Sequence, residues 1–244
     1  MSMRMGSPYL SVIVPVYNEE ENVASVAAEV AGVLDRATLD YEILFVNDCS
    51  SDGTGVRLDE LRRANPRLRA LHLARKTGQS GALYAGLRAA RGEVIATLDG
   101  DGQNDPADIL RLLERLRRGD VAMVCGWRTQ RRDSLVKRIS ARIANRVRNW
   151  VTADGVHDTG ACPRVFTRAV AEAMIAFNGM HRFMPALALM GGFKITEMPV
   201  AHRQRRHGVS KYGIGGRLLR GLFDLVGVLW LRRRVVRPVV ERES

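Results

Sequence analysis

Five short runs of apolar, often β-branched residues punctuate the first half of the chain, at Leu10–Val14, Tyr41–Val46, Arg69–Leu73, Glu93–Leu98 and Asp120–Cys125. Between them lie segments with apolar residues at helical spacing, near Glu20–Arg36, Gly53–Ala64, Ser80–Arg91 and Pro106–Arg118. This alternation of a two-residue and a 3.6-residue period is the rhythm of βαβ units. Runs such as Val12-Ile13-Val14 and Ile43-Leu44-Phe45-Val46 are apolar on both sides of the strand, which suits strands covered on both faces in a parallel sheet. The expectation is an α/β fold with a mostly parallel central sheet and helices on both faces.

The chain has 244 residues, 46% of them hydrophobic, enough to fill such a core and too many for a disordered or collagen-like chain. Cys49, Cys125 and Cys162 are odd in number and form no C-x-x-C pair, so they read as reduced thiols of a cytosolic protein rather than as a disulfide framework or zinc site. No apolar signal region and no uncharged run of roughly 18 residues is present, so the chain is not expected to cross a bilayer. The net charge of +12 hides a division: residues 1–125 sum to −3 and residues 126–244 to +15. A half so rich in cations attracts nucleic acid, an anionic membrane surface or phosphorylated substrates. Aromatic residues make up only 6% and do not interleave with the basic ones, which argues against a nucleic-acid stacking platform.

Open α/β sheets bind ligands beyond the carboxyl ends of their strands, and three strand ends here carry carboxylates. Strand one runs into P-V-Y-N-E-E, strand two into N-D-C-S-S-D-G-T, and strand four into D-G-D-G-Q-N-D-P. Asp52 and Asp105 stand where a helix N-cap is wanted. Asp99 and Asp101 are different: two carboxylates two residues apart repel unless a cation lies between them, and Gly100 and Gly102 let the backbone fold closely around one. A hard divalent ion, Mg²⁺ or Mn²⁺, meets that need and keeps positions open for substrate oxygens. An EF-hand is ruled out, because the sixth loop position is Asn104 rather than Gly and the twelfth is Leu110 rather than a carboxylate.

P-V-Y-N-E-E-E-N-V, V-N-D-C-S-S-D-G-T, G-Q-S-G-A-L-Y-A-G and L-D-G-D-G-Q-N-D-P, in this order, resemble the inverting family 2 glycosyltransferases of the Rossmann-like GT-A fold, above all the dolichol-phosphate and undecaprenyl-phosphate sugar transferases. H-D-T-G (157–160), E-M-P-V (197–200) and H-G-V-S-K-Y-G (207–213) extend the resemblance over about residues 10–231. It implies that Pro15, Tyr17 and Glu19 wall the nucleoside, that Asp48 accepts hydrogen bonds from base or ribose, and that Gly78 and Gln79 belong to the nucleotide-side loop. It further implies that Asp99, Asp101 and Gln103 hold the metal against the diphosphate, with Asp101 essential to transfer. Relatives often continue into transmembrane helices, whereas this chain ends in Arg232-Arg233-Arg234 and a polar tail, so a peripheral protein on the cytosolic membrane face is expected.

The organisation expected is a catalytic domain over 8–216 and a membrane-interface segment over 217–244. Within the first, residues 134–151 place Leu135, Ile139, Ile143, Val147 and Val151 on one stripe and Arg138, Arg142 and Arg146 on another, a basic amphipathic helix about 27 Å long. Its apolar face suits either the core or a bilayer interface. Two such interface helices also offer a surface for a homo-oligomer. For a polyprenyl phosphate acceptor, Arg128 with Arg131 or Arg138 are candidate phosphate ligands, since arginine presents a planar fork of donors. Arg203, Arg205 and Lys211 are candidates to close over the departing diphosphate. A phosphate acceptor is anionic near neutral pH and attacks without a general base. Asp158 stands where relatives acting on hydroxyls place a base. It is read here as a sugar-orienting or acceptor-side residue, with another membrane lipid or a surface glycan hydroxyl as the alternative acceptor.

Overall fold

The computed structural model describes residues 7–128, 152, 155–158, 162–203 and 215–236. The helix expected over 134–151, with Arg131 and Arg138, and the candidates Arg205 and Lys211 lie outside these residues.

Seven strands form one sheet: β1 (Leu10–Val16), β2 (Tyr41–Asn47), β3 (Leu68–His72), β4 (Val94–Thr97), β5 (Met123–Arg128), β6 (Arg164–Thr167) and β7 (Ile195–Val200), in the order β3-β2-β1-β4-β6-β5-β7. All pairings are parallel except those of β6, which runs against both β4 and β5. Helices α1 (Glu20–Arg36), α2 (Thr54–Ala64), α3 (Gly78–Ala89) and α4 (Ala107–Arg117) follow the first four strands as the periodicity predicts. Short helices α5 (Arg168–Glu172) and α6 (Met184–Met190) and the longer α7 (Gly215–Arg234) complete the described part.

Both faces of the sheet are covered. Val12, Val14, Ile43 and Phe45 pack with Val23, Val26 and Val30 of α1 and with Ile109, Leu112 and Leu113 of α4. Ile13, Leu44, Val46 and Ile95 face the other way, toward Ala82, Leu83 and Leu87 of α3 and toward Met184 and Leu187 of α6. Alternate residues of one strand thus feed two cores, which is why the runs read as continuously apolar. Each such side chain contributes about 1.5–3 kcal/mol on burial.

Three features depart from the periodicity reading. Strand β5 begins three residues later than expected, because Asp120 is held in the preceding turn by a two-point contact with Arg115 (2.5 and 2.9 Å). Arg128 is consequently the last residue of the strand rather than three residues past its end. Strands β6 and β7 were not apparent: β6 has only four residues, and β7 has its Glu197 and Pro199 at the sheet edge.

Helix α7 puts Leu225 and Val228 into the second core while Phe223 (76% exposed), Val226 and Trp230 (62%) face outward. No helix among the described residues is long and apolar enough to cross a membrane.

Candidate active site

Register brings the functional loops to one rim. Val16 pairs with Asn47, Asn47 with His72, and Ile13 with Thr97, so the carboxyl ends of β1 to β4 lie side by side. Because β6 is reversed, it is its beginning, at Cys162 and Arg164, that reaches this rim, Arg164 pairing with Thr97 and Cys125. Parallel pairing of β5 with β7 adds Arg128 and the segment after Val200.

The nucleoside-side candidates cluster after β1 and β2. Asn18 Oδ1 accepts the Ser51 N–H at 2.8 Å, and Ser50 Oγ accepts the Asn18 N–H at 2.9 Å, lashing the two loops together. Lys76 Nζ lies 3.6 Å from the centroid of the Tyr17 ring, a cation–π contact. Glu19 accepts a hydrogen bond from Asn22 Nδ2 at 2.7 Å. Buried Asp48 has its oxygens on the protein itself: Oδ1 accepts from Thr77 N and Oγ1 (2.6 and 2.9 Å) and Oδ2 from Gly78 N (2.7 Å). Asp48 therefore shapes the turn that opens α3, including Gly78.

The acidic loop follows β4. A Cβ at Gly100 would stand 2.5 Å from Val16 Cγ1 and 3.1 Å from the Pro15 carbonyl, so only glycine lets this loop lie against the end of β1, and Gly102 has φ +71°. Asn104, fully buried, closes the loop by accepting the Asp99 N–H at 3.2 Å and donating to the Cys162 carbonyl at 2.8 Å. Asp101 Oδ1 accepts the Gln103 N–H at 3.1 Å, and Gln79 Nε2 donates to Asp99 Oδ1 at 3.2 Å. Gln103 turns its amide toward the Arg203 carbonyl at 3.4 Å. Burial, and then the charge on Asp101, push the Asp99 carboxyl up to about 6, against the opposing pull of Arg164 and Arg128. A buried carboxylate whose proton affinity is raised by a second carboxylate nearby fits a divalent cation, which relieves the repulsion and takes the remaining oxygens. Among the described residues no three His, Cys, Asp or Glu side chains converge, so such an ion would have few protein ligands.

Beside the acidic loop lies a cationic wall. Arg128 donates to Asp158 through Nε (2.7 Å) and Nη2 (3.1 Å), and Asp158 is only 4% exposed. Arg164, likewise buried, adds its field to that of Arg128 at Asp99. On the other side of the strand Trp127 stacks on His157, centroids 4.8 Å apart, and His157 pairs with Glu197 at 2.8 Å. Arg203 is held by Glu29 (2.8 Å) and Asp105 (2.7 Å). Asn104 and Arg164 are components of the site that sequence reasoning leaves unassigned, and Gln79, expected in the nucleotide-side loop, also reaches Asp99. An arginine among apolar residues, as in Cys162-Pro163-Arg164-Val165-Phe166, was the available signal, since a buried guanidinium requires a carboxylate nearby.

The family model for glycosyl transferase family 2 matches residues 11–175, which span β1 to just beyond α5. The chain belongs to glycosyl transferase family 2. Among family members, it is 36% identical over 233 residues to dodecaprenyl-phosphate galacturonate synthase of Rhizobium johnstonii, covering 94% of this chain and 69% of that protein. It is 34% identical over 222 residues to undecaprenyl-phosphate 4-deoxy-4-formamido-L-arabinose transferase of Edwardsiella ictaluri, covering 91% of this chain and 68% of that one. The fold is shared with glucosyl-3-phosphoglycerate synthase from Mycobacterium tuberculosis, solved with Mn²⁺, uridine diphosphate and phosphoglyceric acid (TM-score 0.68, 17% identity, 94% and 80% covered). It is shared too with mannosyltransferase PcManGT from Pyrobaculum calidifontis in complex with GDP-Man and Mn²⁺ (TM-score 0.63, 21% identity, 96% and 66% covered). The solved neighbours agree with the mostly parallel GT-A sheet, and the family and the two relatives with a glycosyltransferase activity.

Proposed function

We propose that this chain is an inverting glycosyltransferase that moves a sugar from a nucleoside diphosphate donor to a polyprenyl phosphate, as a peripheral protein on the cytosolic face of a membrane. The observation that carries the reading is the juxtaposition, on one rim, of the Asp99–Asp101 loop with the buried Arg128–Asp158 pair. One side suits a cation-bound diphosphate and the other an anionic acceptor. The similarity to two polyprenyl-phosphate sugar transferases over nine-tenths of the chain supports the acceptor class.

In this reading Pro15, Tyr17 and Glu19 wall the nucleoside, and Asp48 serves it through the Thr77–Gly78 turn. Asp99, Asp101 and Gln103 would hold Mg²⁺ or Mn²⁺, which when bound supplies charge neutralisation to the leaving diphosphate. Gln79 fixes the orientation of Asp99. Arg128, with Arg138, receives the acceptor phosphate, and Arg205 and Lys211 attend the leaving group. The phosphate oxygen attacks the anomeric carbon opposite the departing diphosphate, inverting the configuration, with no proton to remove. Most of the acceleration then comes from holding two anions close and in line, an effect worth several kcal/mol. The alternative of a hydroxyl acceptor with Asp158 as base is less well supported, because both Asp158 oxygens are engaged by Arg128. A carboxylate so paired is a poor proton acceptor.

The outer face of α7, with Phe223, Val226 and Trp230, is followed by Arg232, Arg233 and Arg234. This pattern supports a helix lying in the interface of an anionic membrane, where each arginine adds about 1 kcal/mol. The test is incubation of the protein and membranes with a panel of radiolabelled nucleotide sugars. Label in a lipid released by mild acid is the expected result; label in an acid-stable lipid would transfer the reading to a hydroxyl acceptor.

A further inference from the structure

Arg203 is placed differently from a phosphate ligand. Its guanidinium reaches back from the end of β7 to two carboxylates, Nη1 to Glu29 Oε2 at 2.8 Å and Nη2 to Asp105 Oδ2 at 2.7 Å. These come from separate elements: Glu29 from α1, and Asp105 from the acidic loop, where its other oxygen accepts the Ala107 N–H at 3.0 Å and so starts α4. The backbone joins in. Arg203 N–H donates to the Gln103 carbonyl at 2.8 Å, Gln103 Nε2 donates to the Arg203 carbonyl, and Asn104 bridges His202 in antiparallel fashion. One residue further back, Asp108 Oδ2 accepts the Ala201 N–H at 2.7 Å. The acidic loop is therefore sewn along residues 103–105 to residues 202–203.

We infer that Arg203 is a positioning residue, a clasp that ties the acidic loop to α1 and to the chain leaving β7, and does not itself touch the diphosphate. The inference rests on the functional reading above and deepens it. The tether fixes the acidic loop against the end of β7, so that the cation-binding carboxylates hold one arrangement when charge arrives on the leaving group. Two charge-assisted hydrogen bonds from one planar fork provide the directional hold that a single lysine would lack.

The test compares Arg203→Ala, the paired isosteric change Glu29→Gln with Asp105→Asn, and all three together in the full chain. Asn at 105 retains an oxygen for the start of α4, so the pair removes the charges while leaving the helix cap. Hydrogen exchange at the amides of Gln103 and Arg203, and Mn²⁺ binding followed by its own electron paramagnetic resonance signal, are read without donor or acceptor. The clasp predicts at least tenfold faster exchange and severalfold weaker Mn²⁺ binding in either variant, with no further loss on combining them. In sugar transfer it predicts a roughly tenfold fall in kcat at nearly constant donor KM, partly restored by Arg203→Lys. If Arg203→Ala instead raises donor KM while exchange stays unchanged, or if the losses multiply in the triple variant, Arg203 is a diphosphate ligand and the clasp is wrong. Faster exchange in a chain that transfers no sugar to lipid would leave the clasp standing and overturn the functional reading alone.

Discussion

Arg128 and Asp158 meet in a two-point contact at 2.7 and 3.1 Å, joining the end of β5 to a residue 30 positions further along the chain. Asp158 is buried and Arg128 mostly so, and the contact fixes the plane of the guanidinium at the rim of the acidic loop.

Replacing Arg128 with Ala is expected to raise the KM for a polyprenyl phosphate at least tenfold while changing the donor KM by less than about threefold. Steady-state kinetics with each substrate varied in turn measure this. The opposite pattern would move Arg128 to the donor side. Asp158→Ala, which leaves the guanidinium buried without its counter-charge, is expected to cost about 3 kcal/mol or more in urea denaturation.

Asp101→Ala is expected to abolish metal-dependent transfer, by about 10³-fold or more, while leaving the thermal midpoint close to that of the parent chain. The loop has fastenings besides Asp101, since Asn104 accepts the Asp99 N–H and donates to the Cys162 carbonyl. Turnover near the parental level would remove the carboxylate pair from the chemistry.

His181 gives a pH dependence of stability. Its Nδ1 lies 2.7 Å from Ser80 Oγ, which also accepts the Gly179 N–H at 3.0 Å. Burial, with Arg182 and Arg164 nearby, pushes the imidazole down to about 3 from an ordinary 6.5. The folded chain then holds His181 neutral while the unfolded chain takes up a proton below pH 6.5. The stabilisation is fully present above 6.5 and is lost as pH falls toward 3, by at most about 1.4 kcal/mol per pH unit. Between pH 7 and 5 the parent chain should lose up to about 2 kcal/mol more than His181→Gln in chemical denaturation. Equal losses in the two proteins would show that His181 takes its proton in the folded state.

Changing Phe223, Val226 and Trp230 together to Ser is expected to reduce co-sedimentation with vesicles of anionic phospholipid at least fivefold without lowering stability, since all three face away from the core. Unchanged sedimentation would rule out this face as the membrane contact.

Much of this was readable from the sequence, and the reason is local. Strands β1 to β4 and helices α1 to α4 announce themselves because each carries its own period, and the loops between them hold Asp99, Asp101 and Gly100 within a few residues. Arg128 and Asp158 were both singled out, but their pairing was not, since nothing in the spacing of two distant residues says that they touch. Arg203 stands out as a cation in a basic stretch, whereas its partners Glu29 and Asp105 both come from the first half of the chain, Glu29 174 positions away. Asp48 shows the same limit: its position at a strand end was legible, while its engagement with Thr77 and Gly78 depends on how β2 and α3 are brought together. Strand β6 escaped because four residues carry too little periodicity to stand out.

The reversal of β6, third from the β7 edge of the sheet, has an evolutionary corollary. A chain that leaves β5 at Arg128 and re-enters β6 at Arg164 departs from and comes back to the same margin, with Cys125 and Arg164 already in register. A change of length between Arg128 and Gly155 would consequently slide no strand past another, provided Asp158 and Cys162 keep their ties to Arg128 and Asn104. The register of β4, β6 and β5, and the acidic loop that follows β4, are thereby insulated from the length of that excursion.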